Sequence, residues 1–182
     1  QEWRERSGEG RKPEWDTLIE KISPLASKDS LYLAAESAPD TYTNDRYISD
    51  HPAVLGAWGI LPASRLANEN VMKNTLHWIW DNWNWDHTWG WDYPMTAMNA
   101  ARLGEPEKAV GALLMDKRTN TYLINGHNYQ DERLRLYLPG NGGLLTAIAM
   151  MCAGWDGCNT PNPGFPKDGN WNVKWEGLQP MP

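Results

Sequence analysis

The sequence predicts an all-α fold, part of a toroid of helical hairpins, and three observations predict it. Apolar residues recur at helical spacing in most segments long enough to show a period. Short turns alternate with long polar loops, so one rim would be closed by the turns and the other would carry the loops. Strand signals are too few for a β-sandwich or a propeller, and no fixed repeat period marks a solenoid.

The chain opens QEWRERSGEGRKPEW, without Met, and reads as the tail of a helix already under way, with an upstream portion expected before it. Pro13 sits where a helix can start, because proline's fixed φ and missing N–H suit a first turn. Trp15, Leu18, Ile19 and Ile22 follow at helical spacing until Pro24 ends the run. LYLAA, Leu31 to Ala35, is a strand-like piece inside a long irregular stretch, and connections of that length in a compact domain are usually functional. AVLGAWGIL, between Pro52 and Pro62, predicts a small-residue helix. The next helix reads from Ser64, a plausible N-cap, with Leu66, Val71, Leu76, Ile79 and Trp80 on one broad face.

A tryptophan-rich loop follows, and residues 93–116 then read as two helices, with Gly104 stopping the first and Pro106 in the first turn of the second. Residues 117–143 are irregular again, ending in a tight turn at Gly140, Gly142 and Gly143. They lead into LLTAIAMMCAG, a very apolar helix. From Trp155 to Pro182 the chain is rich in Gly, Pro, Asn and Trp and shows little helical pattern.

Composition excludes several function classes. The net charge is −6 and no Lys/Arg cluster exceeds a few residues, whereas nucleic-acid affinity rests on phosphate contacts from a basic face. No run of eighteen apolar residues exists to span a membrane. The chain has 12 Trp and 7 Tyr against 1 Phe, a preference for rings with a polar handle that suits half-wet clefts and interfaces. Cys152 and Cys158 flank a turn-like segment; a small-loop disulfide and two free thiols both remain open.

The densest chemistry lies in HWIWDNWNWDHTWGWDYP, His77 to Pro94, with six tryptophans and three aspartates in eighteen residues. Trp78 and Trp80 fall in a helical pattern and read as packing residues. Trp83, Trp85, Trp89 and Trp91 are in loop context, where one or two are expected to line a ligand surface. Metal spacing is missing: there is no HExxH, Asp86 and His87 are adjacent, and the cysteines lack partners at zinc spacing. PGNGGLL has no Lys-Ser/Thr and no strand before it, so it is no phosphate loop, and no GxSxG anchors a Ser-His-Asp triad.

Glycoside hydrolysis needs two carboxyl groups across a bond, one protonated to expel the leaving group and one to activate water or attack. Glu36 follows the apolar LYLAA, and apolar surroundings hold a carboxyl proton to higher pH. Asp92, between Trp91 and Tyr93, suits the second role or a hydrogen bond to sugar hydroxyls, and equally an N-cap for the helix that follows. His51 and His127, in separate long loops beside Asp or Asn, add up to a polar pocket.

The ordered set TWGWDYPMTAMNAARLGEPEKAVGALL, NGHN and YLPGNGGLLTAIAMM resembles the C-terminal half of a six-hairpin glycosidase, whose catalytic domain is an (α/α)6 toroid. The nearest group is the family-95 α-L-fucosidases and galactosidases, with the maltose phosphorylase group more distant. The matching residues are Trp91 with Ala101-Arg102-Leu103-Gly104, Ser49-Asp50-His51 with Gly59-Ile60-Leu61-Pro62, and Gly140-Asn141-Gly142.

The resemblance implies that residues 1–157 are the C-terminal portion of a catalytic domain, with 158–182 an irregular tail packing on it. It implies a carbohydrate substrate, no cofactor, and a periplasmic or secreted location. It puts a sugar-contacting histidine at His51 and the general acid at Glu36. The substrate-binding set is then His51, Trp89, Trp91, His127, Asn128 and Asn141, with Glu36 and Asp92 catalytic. Where the family has an Asp just before its late GN turn, this chain has Pro139, so the base moves to Asp92, Asp131 or Glu132 and fucose specificity is not inherited. The chain supplies about half a toroid, so apolar faces meant for the missing helices should stand exposed. A non-catalytic glycan-binding module, and a phosphorylase or lyase on the same fold, are the other readings; for a lyase, Arg133 and Arg135 are the candidate cations.

Overall fold

The computed structural model describes residues 1–62, Ser64 and residues 66–182. Helix dominates, in α1 (Glu2–Arg6), α2 (Pro13–Glu20), α3 (Asp45–Ile48), α4 (Gly56–Gly59), α5 (Glu69–Asn82), α6 (Asp92–Arg102), α7 (Pro106–Leu113) and α8 (Leu138–Ala153). The all-α expectation takes a small correction. Two antiparallel hairpins of two-residue strands pair β1 (Ser27–Lys28) with β2 (Leu31–Tyr32), and β3 (Thr121–Tyr122) with β4 (Asn128–Tyr129). The first turns on Asp29 and Ser30, both at positive φ (52° and 62°), the backbone that a two-residue hairpin favours.

The small-residue helix predicted after Pro52 is shorter than its sequence suggests. It is a 3-10 turn, Ala53–Leu55, running into the single turn of α4. Of the helix predicted from Ser64, Arg65 lies outside the described residues, and α5 starts only at Glu69. Its cap is Asn68, whose Oδ1 accepts the Val71 N–H at 3.2 Å and so satisfies one of the unpaired donors of the first turn. Ser64 instead closes a local turn, its Oγ accepting the Leu66 N–H at 3.2 Å.

The core is arranged around α6, which is buried without a break from Asp92 to Ala101. Helices α4, α7 and α8 pack on it. Its neighbours come close because small residues stand at the crossings. A β-carbon on Gly59 of α4 would lie 2.7 Å from Asn99 N, so that crossing tolerates glycine alone without a shift. The α6–α7 hairpin forms as Gly104 and Pro106 predict. Gly104 takes φ 73°, its N–H bonds Ala101 O at 3.1 Å, and the Glu105 N–H bonds Ala100 O at 2.9 Å, the paired bonds that close a helix with a left-handed glycine.

The glycines predicted as a turn before the last helix lie inside it. Pro139 occupies the first turn of α8, and Gly140 and Gly143 serve close approach instead. A β-carbon on Gly143 would meet Pro94 Cγ at 2.7 Å, and one on Gly140 would meet Asn128 Oδ1 at 2.2 Å. Leu55, Met72, Leu76, Ile79, Tyr93, Met150 and Met151 fill the core. The C-terminal tail returns onto the end of α8, with Met181 N–H to Gly154 O at 3.0 Å and Gly164 N–H to Met151 O at 3.0 Å. Cys152 and Cys158 are free thiols. Among the described residues no helix is long and apolar enough to cross a membrane.

Candidate functional site

The site is built where the tryptophan loop meets the loop before Pro52. Helix α5 ends as Trp83 turns to extended backbone, and that indole buries itself while donating to Asp50 O at 2.8 Å. Asn84 adds two ties to the same loop, its N–H to Ile48 O at 3.0 Å and its side-chain amide to Ser49 Oγ at 3.0 Å. Together these seat residues 48–51 against the start of α6. The loop tryptophans therefore divide by role. Trp83 and Trp85, each only 7% exposed, belong to the core and its stitching, while Trp89 and Trp91 are half-buried around His51.

Asp92 is the first residue of α6 and is 0% exposed. It does not cap the helix as a preceding residue would; Trp91 holds that place. Both Asp92 oxygens lie 3.0 Å from His51 Nδ1, and Oδ2 also accepts the Trp89 N–H at 2.8 Å. Burial pushes the Asp92 carboxyl above the ordinary carboxylate range, against the hydrogen bonds from His51 and Trp89. The helix N-terminus behind it favours a negative charge. The hydrogen bond to Asp92 is the largest influence on the His51 imidazole and raises it above its ordinary value, with partial burial opposing.

Aromatic rings wall the histidine. Its ring centroid is 5.0 Å from Trp91 and 5.9 Å from Trp89, and Trp89 stands 5.5 Å from Tyr137. Burial and the nearby Asp92 charge push the Tyr137 phenol up. Asp50, largely exposed, approaches His51 Nε2 to 3.6 Å, beyond hydrogen-bond length.

A second layer holds the Trp89–Trp91 turn in place. Gln130 Oε1 accepts the Gly90 N–H at 3.0 Å while its amide donates to Thr88 O at 3.2 Å. Asn128, fully buried, donates to Thr119 O at 3.0 Å and Thr121 O at 3.2 Å. Its oxygen presses into the space above Gly90, where a β-carbon would lie 1.8 Å away. Asn141 accepts the Asn128 N–H at 2.9 Å and donates to Gly126 O at 2.7 Å.

Of the residues singled out in the sequence, the structure thus brings together His51, Asp92, Trp89 and Trp91. Asn141 and the Asn128 side-chain NH2 are engaged in holding the β3–β4 hairpin, and the Asn128 Oδ1 is buried without a hydrogen-bond partner among the described residues, so neither amide is presented to a ligand. His127 sits half-buried in that hairpin's turn, its N–H bonded to Asn125 Oδ1 at 3.1 Å. Glu36 is exposed in a turn, not in apolar surroundings. The reason is local: Tyr32 and Leu33 turn inward, Thr41 Oγ1 fastens Ala34 N–H at 3.1 Å, and the chain bends back at Ala35, leaving Glu36 outside. Among the described residues no hydrogen bond or ion pair joins Glu36 to His51 or Asp92.

Sequence reasoning missed Tyr137, Gln130 and Thr88. Only Tyr137 carried a signal, as the last aromatic before the proline that opens α8. Among the described residues no group of three or more His, Cys, Asp or Glu side chains is arranged to hold a metal ion. What the arrangement offers is a buried carboxyl behind an imidazole, with half-wet aromatic faces beside it. The chain matches no family model, no curated protein and no solved structure.

Proposed function

We propose that this chain is part of a glycoside hydrolase of (α/α)6-toroid architecture, acting on a glycan outside the cytoplasm. One observation carries the reading: His51 is held by fully buried Asp92 and edged by Trp89 and Trp91, with Tyr137 beside Trp89. Indole faces suit the C–H faces of a sugar ring, and the imidazole supplies a polar group at its rim. Asp92 has no exposed surface, so it acts through His51: Nδ1–H donates to the carboxylate, and Nε2 is left to accept a proton from a hydroxyl or a water. In hydrolysis that water oxygen attacks the anomeric carbon, its proton passes to Nε2, and an acid protonates the departing oxygen. Glu36 is the proposed acid, brought to the bond by substrate and by the rest of the toroid. Further helices of that toroid would cover the apolar faces that α2 and α8 leave in solvent.

A non-catalytic glycan-binding role is favoured by one feature, that among the described residues no hydrogen bond or ion pair joins the proposed acid Glu36 to the His51–Asp92 pair, the exposed carboxyl beside His51 being that of Asp50. The two readings separate on a panel of glycans, with released products followed by mass spectrometry in the presence and absence of phosphate. The protein is compared as wild type, Glu36→Gln and His51→Ala. A sugar released by wild type and lost in both variants supports hydrolysis as written. Release unchanged in Glu36→Gln removes Glu36 from the acid role. Binding without release by any form leaves the binding module, and product formed only with phosphate makes the enzyme a phosphorylase.

A further inference from the structure

Three polar atoms crowd one nitrogen. His51 Nδ1 has Asp92 Oδ1 and Oδ2 each at 3.0 Å and Trp91 Nε1 at 3.1 Å. A ring nitrogen offers one in-plane direction, carrying either an N–H or a lone pair, and an indole nitrogen is a donor only. If Nδ1 carries the hydrogen, it donates to Asp92, and the indole N–H faces another N–H. If Asp92 carries it, the carboxyl O–H takes the Nδ1 lone pair, and the indole is again excluded. The remaining state, a bare lone pair against two carboxylate oxygens, is repulsive. In both favourable states one proton binds Asp92 to His51 and the Trp91 donor is left over.

That surplus donor is half-buried at the rim of the site. Beside it, His51 Nε2 has Asp50 Oδ1 no closer than 3.6 Å. The Tyr137 hydroxyl and Trp89 Nε1 make no hydrogen bond among the described residues. We propose that Trp91 is the specificity-determining donor of this site: in the state with the hydrogen on Nδ1, which leaves Nε2 bare, its Nε1–H bonds a ligand hydroxyl whose own hydrogen goes to His51 Nε2. A hydroxyl satisfies both positions at once. An ether oxygen or a methyl group at that place does not. The ligand class is therefore a neutral sugar read at one free hydroxyl, and the inference rests on the carbohydrate reading above.

The chain has 12 tryptophans, each giving one indole N–H signal in a proton–nitrogen correlation spectrum. Trp91→Phe and Trp89→Phe assign the two signals at issue and keep an aromatic ring at each place. The labelled full chain is titrated with D-galactose, L-fucose, D-glucose and L-rhamnose, and then with the monodeoxy analogues of whichever sugar binds. The expected result is that a binding sugar moves the Trp91 indole signal downfield and that one deoxy analogue fails to move it. Trp91→Phe should weaken that sugar about three- to tenfold, the worth of one neutral hydrogen bond, while the Trp89 signal still responds. If the sugar moves Trp89 and leaves Trp91 in place, or binds Trp91→Phe as tightly as wild type, the proposal is overturned and carbohydrate binding stands. If no sugar moves any indole signal, the carbohydrate reading falls and takes this inference with it.

Discussion

Helices α6 and α8 are both rich in apolar and small residues, yet only α6 is enclosed. Every residue from Asp92 to Ala101 is buried, with α4, α7 and α8 around it. Helix α8 is the more hydrophobic along its length, but it buries Gly140, Ala147, Met150, Met151 and Cys152 and turns Leu138, Leu145 and Ile148 to solvent. Composition sets how much a helix gains by burial, while the neighbours at hand decide how much of that gain is realised. One face of α8 bears the small residues that approach Asn128 and Pro94, and the opposite face bears bulk left largely in solvent. Helix α2 repeats the pattern, with Trp15 and Leu18 exposed and no residue buried.

Substitution should expose that contrast most strongly at Tyr93. Its ring is fully buried, and its hydroxyl meets Thr88 Oγ1, Trp85 O and Thr119 Oγ1 at 3.1, 3.0 and 2.7 Å. Tyr93→Ala should cost about 3–5 kcal/mol, the range for removing a buried aromatic ring. Urea unfolding followed by tryptophan fluorescence measures it, and a loss below ~1 kcal/mol would mean that α6 is not the centre of the fold. Gly59→Ala comes next. The added carbon would stand 2.7 Å from backbone nitrogen and 3.1 Å from Met95 O, so α4 must move as a unit. Overpacking of this kind costs about 1–3 kcal/mol, and the same measurement reads it.

How far these differences were legible in the sequence depends on the residue. The α6–α7 hairpin was legible because Gly104 and Pro106 fix local backbone, and local backbone needs no partner to be right. The His51–Asp92 pairing was half legible: both residues stood out, but their contact is made by Trp83 and Asn84 tying one loop to another, and no period records such a tie. Which of the four loop tryptophans line the site was left open, because a loop position says nothing about which way an indole turns. The apolar surroundings expected for Glu36 were not legible because the apolar run before it folds away from it. The α8 glycines read as a turn because composition does not distinguish flexibility from close approach, and only Asn128 and Pro94 on the far side decide that.

The charge buried at the head of α6 gives a smaller test, one of slope rather than size. The His51 imidazole is raised from 6.5, so its contribution to stability is full below that value and is lost as pH rises through the folded value. Asp92 is raised from 3.8, and its contribution likewise is full below that value and declines as pH rises through its folded value. Both act in one direction, so stability should fall from weakly acidic toward alkaline pH. Asp92→Asn removes the carboxylate that raises His51, and its unfolding free energy between pH 6 and 9 should vary less than that of wild type. An equal or steeper slope in the variant would show that His51 and Asp92 do not titrate as a pair.

The smallest stability effect belongs to α8. Leu145 is 71% exposed, so Leu145→Ser removes little packing and should lie within about 0.5 kcal/mol of wild type. Its consequence should appear elsewhere. An exposed face shared with Leu138 and Ile148 invites association with whatever apolar surface is available, and serine interrupts it. Sedimentation velocity over a tenfold range of concentration would read this directly, with wild type gaining mass as concentration rises and Leu145→Ser gaining less. A loss of stability like that at Tyr93 would mean that Leu145 is packed in solution. The contrast between the two helices would then be one of partners already present, not of partners awaited.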